Sequence, residues 1–237
     1  MIPPFTLEVV EECSSTNHSL LERPGSIHGI ALLARRQTEG HGRRSRTWLA
    51  PEGNLSVSFG LEGVEARWLP HRFGVALHRV VEPLLGKEGL GLKWPNDLVW
   101  RGRKLAGILV QAKQQGTRMR AAVGVGLNVR QAPDIPGAAA LRDLMEGPFP
   151  SAEDLALGLI RELAREEKDL RGAWEERCAH RGMWVELLAD QNQPARRVRS
   201  LGLAPDGGLL VETEAGERFT AYAEEMSLLM APRAPRS

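Results

Sequence analysis

Hydrophobic positions in the first half of the chain follow two different periods, which predict a β-sheet with helices packed against it. Strands are predicted at 6–10, at 29–34, where the apolar run is continuous, and at 55–61, where apolar residues alternate with serines. This alternation gives the third strand one polar face. Further strands are predicted at 98–100, 104–113 and 119–129, with turns at 101–102 and 115–116 between them.

Two segments of this half have the pattern of helices. The residues at 14–16, Ser-Ser-Thr, are types that cap helix N-termini, and they precede a short helix that is predicted to end at Leu21. Leucine, valine and phenylalanine recur at helical spacing over 69–85, and Gly86 follows as a C-cap.

The pattern changes beyond Gly182. Before this residue, Ser151 and Asp154 form a capping box that introduces a helix with apolar residues on one side as far as Trp174. After it, short apolar runs separated by glycine-containing turns predict a small β-barrel. Its strands are predicted at 184–188, 196–203, 209–213, 218–222 and 227–230. We therefore place a domain boundary near residue 182.

Composition and charge exclude several classes of protein. The chain has 31 basic and 30 acidic side chains, so its formal charge of +1 gives no reason to expect nucleic-acid binding. Cys13 and Cys178 lie far apart without a CxxC spacing and are interpreted as reduced thiols. The histidines lack metal-binding spacing, and no metal ligands are assigned. Without a signal peptide or a long apolar run, we expect a cytoplasmic protein that does not associate with membranes.

The segment 93–97, Lys-Trp-Pro-Asn-Asp, is the strongest candidate for chemistry, and Lys104 follows it on an apolar strand. Lysine and aspartate are seldom buried unless they are paired, so this arrangement indicates the lining of a cleft. Two ammonium groups in one cleft are suited to binding phosphates or a carboxylate. The alternative is a surface hairpin with a structural Asn-Asp turn.

Three further segments have weaker signals. The loop 40–48 combines two glycines, three arginines and Trp48, which suits anion binding beside an apolar wall, but alone it is more typical of a solvated basic loop. Gly124 and Gly126 leave room on one face of a strand, although a β-bulge or a close sheet–helix contact is the alternative. The segment 15–17, Ser-Thr-Asn, is most simply a helix cap that can also face a polar ligand.

Taken together and in this order, these segments resemble the biotin protein ligase family. The resemblance covers roughly residues 11–188 and is carried by 15–17, by Gln37 with the loop 40–48, by 93–97, and by the segments 102–109 and 124–128. It implies an α/β (α+β) fold: a catalytic domain over 1–182, with a mixed β-sheet flanked by helices, and an SH3-like β-barrel over 183–237. It also implies that biotin and MgATP form biotinyl-5′-adenylate and pyrophosphate before an acceptor lysine attacks the acyl carbon.

The resemblance also implies roles for individual residues. Lys104, Arg43 and Lys93, with bound Mg²⁺, would supply the catalytic positive charge. The implied biotin-binding residues are Ser15, Thr16, Asn17, Gln37, Gly40, His41, Gly42, Arg43, Trp48, Lys104, Gly107, Leu109, Gly124 and Leu127. The implied ATP- and adenylate-binding residues are Arg43, Arg44, Arg46, Lys93, Asn96, Asp97, Lys104 and Asn128.

The sequence departs from the family pattern within the glycine- and arginine-rich loop. His41 stands where arginine is usual, and Ser45 stands where glycine is usual. Because the histidine removes a permanent charge next to the adenylate, we expect retention of this intermediate to be weaker or dependent on pH.

The resemblance implies a partner and leaves rival functions open. The expected partner is the biotin carboxyl carrier protein or domain of acetyl-CoA carboxylase or a related biotin enzyme, and a homodimer is compatible with the pattern. Too few residues precede Ser14 to form a helix-turn-helix, so we predict a monofunctional ligase that does not bind operator DNA. The rivals are a lipoate or octanoate ligase of the same superfamily and a non-catalytic biotin-sensing or partner-binding protein.

Overall fold

The main feature of the fold is one mixed sheet of seven strands. The computed structural model describes residues 2–115, 118–188, 195–222 and 225–228. The strands of this sheet are β1 Thr6–Cys13, β2 Ile30–Gln37, β5 Leu55–Glu62, β6 Leu90–Lys93, β7 Asp97–Trp100, β8 Arg103–Gln115 and β9 Arg118–Leu127. Their order is β1-β2-β5-β9-β8-β7-β6, and a separate short hairpin joins β3 Gly40–His41 to β4 Thr47–Trp48. β1 and β2 are parallel, whereas the other neighbours are antiparallel.

Helices cover both faces of this sheet. They are α1 Thr16–Glu22, α2 Leu69–Leu85, α3 Ala152–Ala164 and α4 Leu170–Glu175. Successive side chains of a strand point to opposite faces. In β9 the odd-numbered residues of 121–127 belong to the main hydrophobic core with α2 and α3, whereas Ala122 packs in a second cluster with Leu20 of α1. α1 therefore lies on the face opposite to α2 and α3.

The predicted helix ends are confirmed where a capping residue marks them. Ser15 is the N-cap of α1, and its side chain accepts a hydrogen bond from the backbone N–H of His18 at 3.4 Å. α2 ends at Gly86, whose φ of 77° suits a residue without a Cβ. The capping box of Ser151 and Asp154 begins α3 as predicted.

The single helix predicted to continue as far as Trp174 is wrong. α3 ends at Ala164, and α4 begins after Asp169, whose carboxylate accepts a hydrogen bond from the Gly172 N–H at 2.9 Å. The apolar spacing continues across the break because both helices pack on the same core, and spacing alone does not reveal the interruption.

Strand limits differ from the prediction where the apolar pattern is short or absent. β6 is not predicted because its sequence, Leu-Gly-Leu-Lys, is brief and contains glycine. β1 continues to Cys13, beyond its predicted end at residue 10, and these last residues pair with β2. The apolar pattern does not reveal them because they are polar; the side chains of Glu12 and Arg36, for example, form an ion pair at 2.9 Å.

A second, antiparallel sheet forms the C-terminal part of the chain. Its strands are β10 Trp184–Leu188, β11 Arg196–Leu203, β12 Leu209–Thr213, β13 Arg218–Ala221 and β14 Glu225–Leu228, in the order β13-β12-β11-β10-β14. The fold class is thus confirmed, as a mixed α/β structure followed by a separate small antiparallel sheet. Residues 229–230 of the last predicted strand lie outside the described residues. The domain division at 182 stays a prediction.

Within the described ranges, no helix has the length and apolar character needed to cross a bilayer.

Candidate functional site

A cavity of about 640 Å³ lies where the start of α1, the loop 40–48, the 93–97 turn and the glycine-containing parts of β8 and β9 meet. The structure brings most of the predicted site residues to this one cavity. Those on its wall are Ser15, Thr16, Asn17, Gln37, His41, Gly42, Arg43, Arg46, Trp48, Lys93, Asn96, Asp97, Lys104, Gly107, Leu109, Gly124 and Asn128.

Three predicted residues do not line the cavity. Leu127 is fully buried in the main core on the other face of β9, which corrects the prediction that its side chain contacts biotin. Gly40 is buried beneath the Trp48 carbonyl, where a Cβ would come within 2.2 Å of the carbonyl oxygen. Its role is to let β3 and β4 approach each other. Arg44 is exposed beside the cavity and has a positive φ of 53°.

The end of the cavity beside α1 is polar. The backbone N–H and the hydroxyl of Thr16 donate to Gln37 Oε1 at 3.0 and 3.1 Å. Asn17 donates through Nδ2 to the Leu109 carbonyl at 3.2 Å. Ser58, fully buried on β5, lies 2.7 Å from Asn17 Oδ1 and donates to it, because an amide oxygen can only accept. The segment 15–17 is therefore both a helix cap and a part of the cavity wall.

Sequence reasoning missed Ser56 and Ser58 as site residues, although it predicted the polar face of β5 that holds them. Ser56 lines the cavity and is 5% exposed, whereas Ser58 is fully buried and supports the wall by donating to Asn17 of α1. The sequence signal that could have identified them is their alternation with leucine and valine. Hydroxyl groups on a buried sheet face need polar partners, so this alternation indicates a polar site on that face. The presence of α1 on that face could not be inferred from β5 alone.

Trp48 forms one wall of the cavity by lying flat against β9. A Cβ added to Gly126 would come within 2.4 Å of Trp48 Cε2, so only glycine leaves room for the ring. Gly126 therefore makes room for the Trp48 ring, whereas a Cβ at Gly124 would lie 2.8 Å from Asn17 Oδ1 of α1, which is the close sheet–helix contact given as the alternative. Lys104 Nζ lies 5.6 Å from the centroid of the Trp48 ring, which is within cation–π distance.

The 93–97 turn joins β6 to β7 and faces the cavity. The segment forms a hairpin, as in the alternative interpretation of the sequence, but its turn lines the cavity instead of lying in solvent. The Trp94–Pro95 peptide bond is cis. Asn96 fixes the turn to β8, since its Nδ2 donates to the Ile108 carbonyl at 2.7 Å and its carbonyl accepts from the Ile108 N–H at 2.9 Å.

Lys104 and Asp97 bring opposite charges together on the same wall. Lys104 Nζ lies 2.6 Å from Asp97 Oδ1, and the two side chains are 39% and 15% exposed. The ammonium group is thus held in place at the cavity surface while it remains accessible. A fixed cation of this kind can stabilise negative charge that develops on a bound substrate.

Several polar atoms of the cavity wall are buried without a protein partner. Among the residues described, Trp48 Nε1, Ser56 Oγ and Asn128 Oδ1 have no hydrogen bond. Asn128 is held from its other side, where Nδ2 donates to the Ala139 carbonyl at 3.0 Å. Buried polar groups are normally hydrogen-bonded. Because these three atoms lack protein partners and belong to residues around one cavity, they are suited to hydrogen-bonding a polar ligand.

The segment 133–138 is a part of the wall that the sequence did not indicate. It follows β9 and reaches the cavity through Pro133, Ile135 and Pro136. The Lys104 N–H donates to the Gly137 carbonyl at 2.6 Å, and the Ala139 N–H donates to the Lys104 carbonyl at 2.9 Å. These bonds hold the loop beside Lys104, and loop composition alone does not specify such a contact.

The donor atoms of the cavity do not form a metal cage. Within the part of the chain that the structure describes, no group of three or more His, Cys, Asp or Glu side chains could hold a metal ion. Asp97 supplies a carboxylate to the wall. Mg²⁺ commonly binds through one or two carboxylates together with substrate phosphates, so this wall fits a magnesium ion that enters on a nucleotide.

Comparison with known proteins finds a matching family and similar sequences. The family model described as the Biotin/lipoate A/B protein ligase family matches residues 11–128. A biotin–[acetyl-CoA-carboxylase] ligase of Mycobacterium tuberculosis is 40% identical over 170 residues, which are 66% of this chain and 62% of that protein. The ligase of the same name from Paracoccus denitrificans is 30% identical over 231 residues, which are 89% of this chain and 95% of that protein.

A solved structure has the same fold over nearly its whole length. The biotin protein ligase of Aquifex aeolicus, determined in complex with biotin and ATP, superposes with a TM-score of 0.78 at 28% identity. The match covers 94% of this chain and 99% of that chain. With the nearly full-length match to the Paracoccus protein, this confirms the predicted family: the chain belongs to the biotin protein ligases of the biotin/lipoate A/B protein ligase family.

Proposed function

We propose that this protein activates biotin with MgATP to biotinyl-5′-AMP and transfers the biotinyl group to a lysine of a biotin carboxyl carrier domain. The observation that carries this proposal is the position of Lys104. Its ammonium group is fixed by Asp97 at 2.6 Å and by the Trp48 ring at 5.6 Å, in a cavity whose other end is polar. Carboxylate and phosphate would meet at such a cation.

The polar end and the Trp48 wall suit biotin. Ser15, Thr16 and Gln37 line this end with hydroxyl and amide groups, which are the kinds of group that a ureido ring hydrogen-bonds. Gly107 and Gly124 line the cavity, and we place the biotin ring and the valeryl chain against this part of the sheet. The biotin carboxylate would then point towards Lys104. Leu127, which lies in the core, has no part in this assignment.

The 93–97 turn and the loop 40–48 suit the nucleotide. Lys93, Asn96 and Asp97 line one side, and Arg43 and Arg46 line the other. In the first step an oxygen of the biotin carboxylate attacks the α-phosphorus, and the bond to the β-phosphate breaks to release pyrophosphate. Joining two anions requires fixed positive charge, which Lys104, Lys93 and Arg43 supply. A Mg²⁺ ion that enters with ATP would offset negative charge on the departing pyrophosphate.

In the second step the acceptor amine attacks the acyl carbon of the mixed anhydride, and AMP leaves. A carboxylate is a poor electrophile, so activation must come first. Residues of the glycine- and arginine-rich loop line the cavity, and ordering of 40–48 on the adenylate would keep out water. The carrier domain of acetyl-CoA carboxylase, after which the Mycobacterium and Paracoccus relatives are named, is the acceptor that we propose.

Two measurements test the two half-reactions. ATP–pyrophosphate exchange is expected to depend on biotin and to stay at background with lipoate or octanoate. Exchange that responds to lipoate instead would favour the rival ligase. Incubation with ATP, Mg²⁺, biotin and a carrier domain is expected to add one biotinyl group to the acceptor by mass spectrometry, and an acceptor with its target lysine changed to alanine provides the control. Biotin binding without exchange would indicate a sensor protein.

We also propose that the protein does not act as a repressor. The nearly balanced charge, +1 in total, offers little to attract operator DNA. A gel-shift experiment with the protein, biotin and the promoter regions of biotin-biosynthesis genes is expected to show no sequence-specific complex, and a salt-sensitive, specific complex would overturn this proposal.

A further inference from the structure

Trp94, in the middle of the 93–97 turn, is held from behind by the C-terminal part of the chain. Its side chain is buried, at 2% exposure. Its backbone N–H donates to Nε2 of His180 at 3.1 Å, and its indole Nε1 donates to the Gly207 carbonyl at 3.4 Å. Gly207 lies in the turn between β11 and β12 of the C-terminal sheet. The turn that borders the cavity is therefore bonded both to His180 and to the C-terminal sheet.

His180 connects this turn to β11. The imidazole is fully buried, and its Nδ1 lies 2.8 Å from Ser200 Oγ. Because Nε2 accepts the Trp94 N–H, the neutral ring carries its proton on Nδ1 and donates it to Ser200. Burial, assisted by the nearby charge of Lys93, lowers the pKa of His180 to about 3, so the ring stays neutral and keeps its acceptor.

The segment 177–180 brings His180 beneath the turn. The Leu92 N–H donates to the Arg177 carbonyl at 2.7 Å, and the Ala179 N–H donates to the Leu92 carbonyl at 2.9 Å. These bonds add a short parallel bridge to the outer side of β6. The position of His180 is thus defined by the edge of the main sheet as well as by the C-terminal sheet.

We propose that His180 is a positioning residue, through which the C-terminal sheet holds the 93–97 turn in the geometry that binds MgATP. This inference rests on the proposed function. The Trp94 N–H and the Lys93 carbonyl belong to one peptide unit, so movement of Trp94 moves the residues on either side. Lys93, Asn96 and Asp97 of this turn line the nucleotide side, and Asp97 also holds Lys104.

An apolar side chain at 180 would leave the buried Trp94 N–H without an acceptor. A buried donor that loses its partner is costly, so the turn is expected to shift towards another acceptor or towards water. The polar end of the cavity rests on α1, Gln37 and β5, whose hydrogen bonds join Thr16 to Gln37 and Ser58 to Asn17, away from His180. Loss of His180 should therefore affect ATP far more than biotin.

The test compares His180→Leu with His180→Gln in the full chain. Glutamine places an amide oxygen near the position of Nε2 and can accept the Trp94 N–H, whereas leucine cannot. Val198→Ala is the structural control, because Val198 is fully buried on β11, the strand that holds Ser200. The measurements are KM for MgATP and kcat in biotin-dependent ATP–pyrophosphate exchange, and Kd for biotin without ATP.

His180→Leu is expected to raise KM for MgATP about tenfold and to leave Kd for biotin within about twofold of the parent. His180→Gln should restore most of the ATP affinity, and Val198→Ala should leave KM for MgATP unchanged. An unchanged KM in His180→Leu, an equal loss of biotin binding, or the same effect in Val198→Ala would overturn the proposal.

If His180→Leu does not fold, Ser200→Ala decides the question. It removes the acceptor of the Nδ1 proton and is expected to raise KM for MgATP by a few fold, so a KM equal to the parent value would overturn the proposal. Failure of the proposed function is a separate outcome, because the parent protein would then show no biotin-dependent exchange at all.

Discussion

Gly126 provides a direct test of the Trp48 wall. In Gly126→Ala the new Cβ would lie 2.4 Å from Cε2 of Trp48, 2.5 Å from Nε1 and 2.6 Å from Cζ2. Carbon atoms in ordinary contact are about 3.5–4.0 Å apart, so the indole ring must move away from β9 by about 1 Å. The ring would then enter the space that we assign to the biotin ring.

The expected cost falls on the reaction and not on folding. A misplacement of about 1 Å in a reacting complex lowers the rate by about 100-fold, and we expect a loss of this size in kcat/KM for biotin in the exchange reaction. Gly126 does not have a positive φ, so alanine suits its backbone. The free energy of unfolding, measured in urea, should therefore stay within about 1 kcal/mol of the parent value.

Gly107 offers a matched control on the neighbouring strand, since it pairs directly with Gly126. A Cβ at Gly107 would lie 3.3 Å from Lys104 Nζ and 3.4 Å from Trp48 Cζ3, contacts that a shift of a few tenths of an ångström relieves. Gly107→Ala should therefore cost much less than Gly126→Ala. In a Trp48→Ala background, Gly126→Ala should add no more than about a twofold loss, because the clash is gone. An undiminished loss in that background would refute the reasoning.

Three further predictions concern charges and buried imidazoles. Lys104→Ala should lower the rate of adenylate formation by about 100-fold or more, because a fixed cation at the developing charge is lost; unchanged exchange kinetics would remove this residue from the mechanism. His41→Arg should retain biotinyl-5′-AMP longer at neutral pH, measured as the half-life of the isolated enzyme–adenylate complex, and an equal half-life would show that His41 does not weaken retention. Burial lowers the pKa of His71 and His78 to about 4 and that of His180 to about 3, below the usual 6.5. Below about pH 6.5 the unfolded chain therefore binds more protons than the folded protein. The free energy of unfolding should be largest above that pH and fall as the pH is lowered towards 4. The decrease should reach up to about 1.4 kcal/mol per pH unit for each histidine. Urea midpoints at pH 7.5 and 5 check this, and the slope should decrease in His78→Gln.

Local chemistry made the helix ends and the main candidate segments predictable. Ser15 and the Ser151–Asp154 pair are capping residues whose hydrogen bonds lie within one turn of the chain, so no distant contact is needed to recognise them. The alternate glycines at 124 and 126 indicated an open strand face for the same reason. Where the signal depended on apolar spacing alone, as between α3 and α4, it failed, because two helices on one core continue the same pattern.

The sequence by itself determined which residue types are available for the chemistry, including the two lysines, the Asn-Asp pair and the arginine loop. Only the tertiary structure decided which of them meet. It placed Lys104 against Asp97 and Trp48, turned Leu127 into the core, and brought Ser58 beneath Asn17. It also joined Trp94 to His180 across 86 residues of sequence. The physical reason is that caps and alternation arise from neighbouring residues, whereas a cavity wall depends on the pairing of distant strands, which no local pattern specifies.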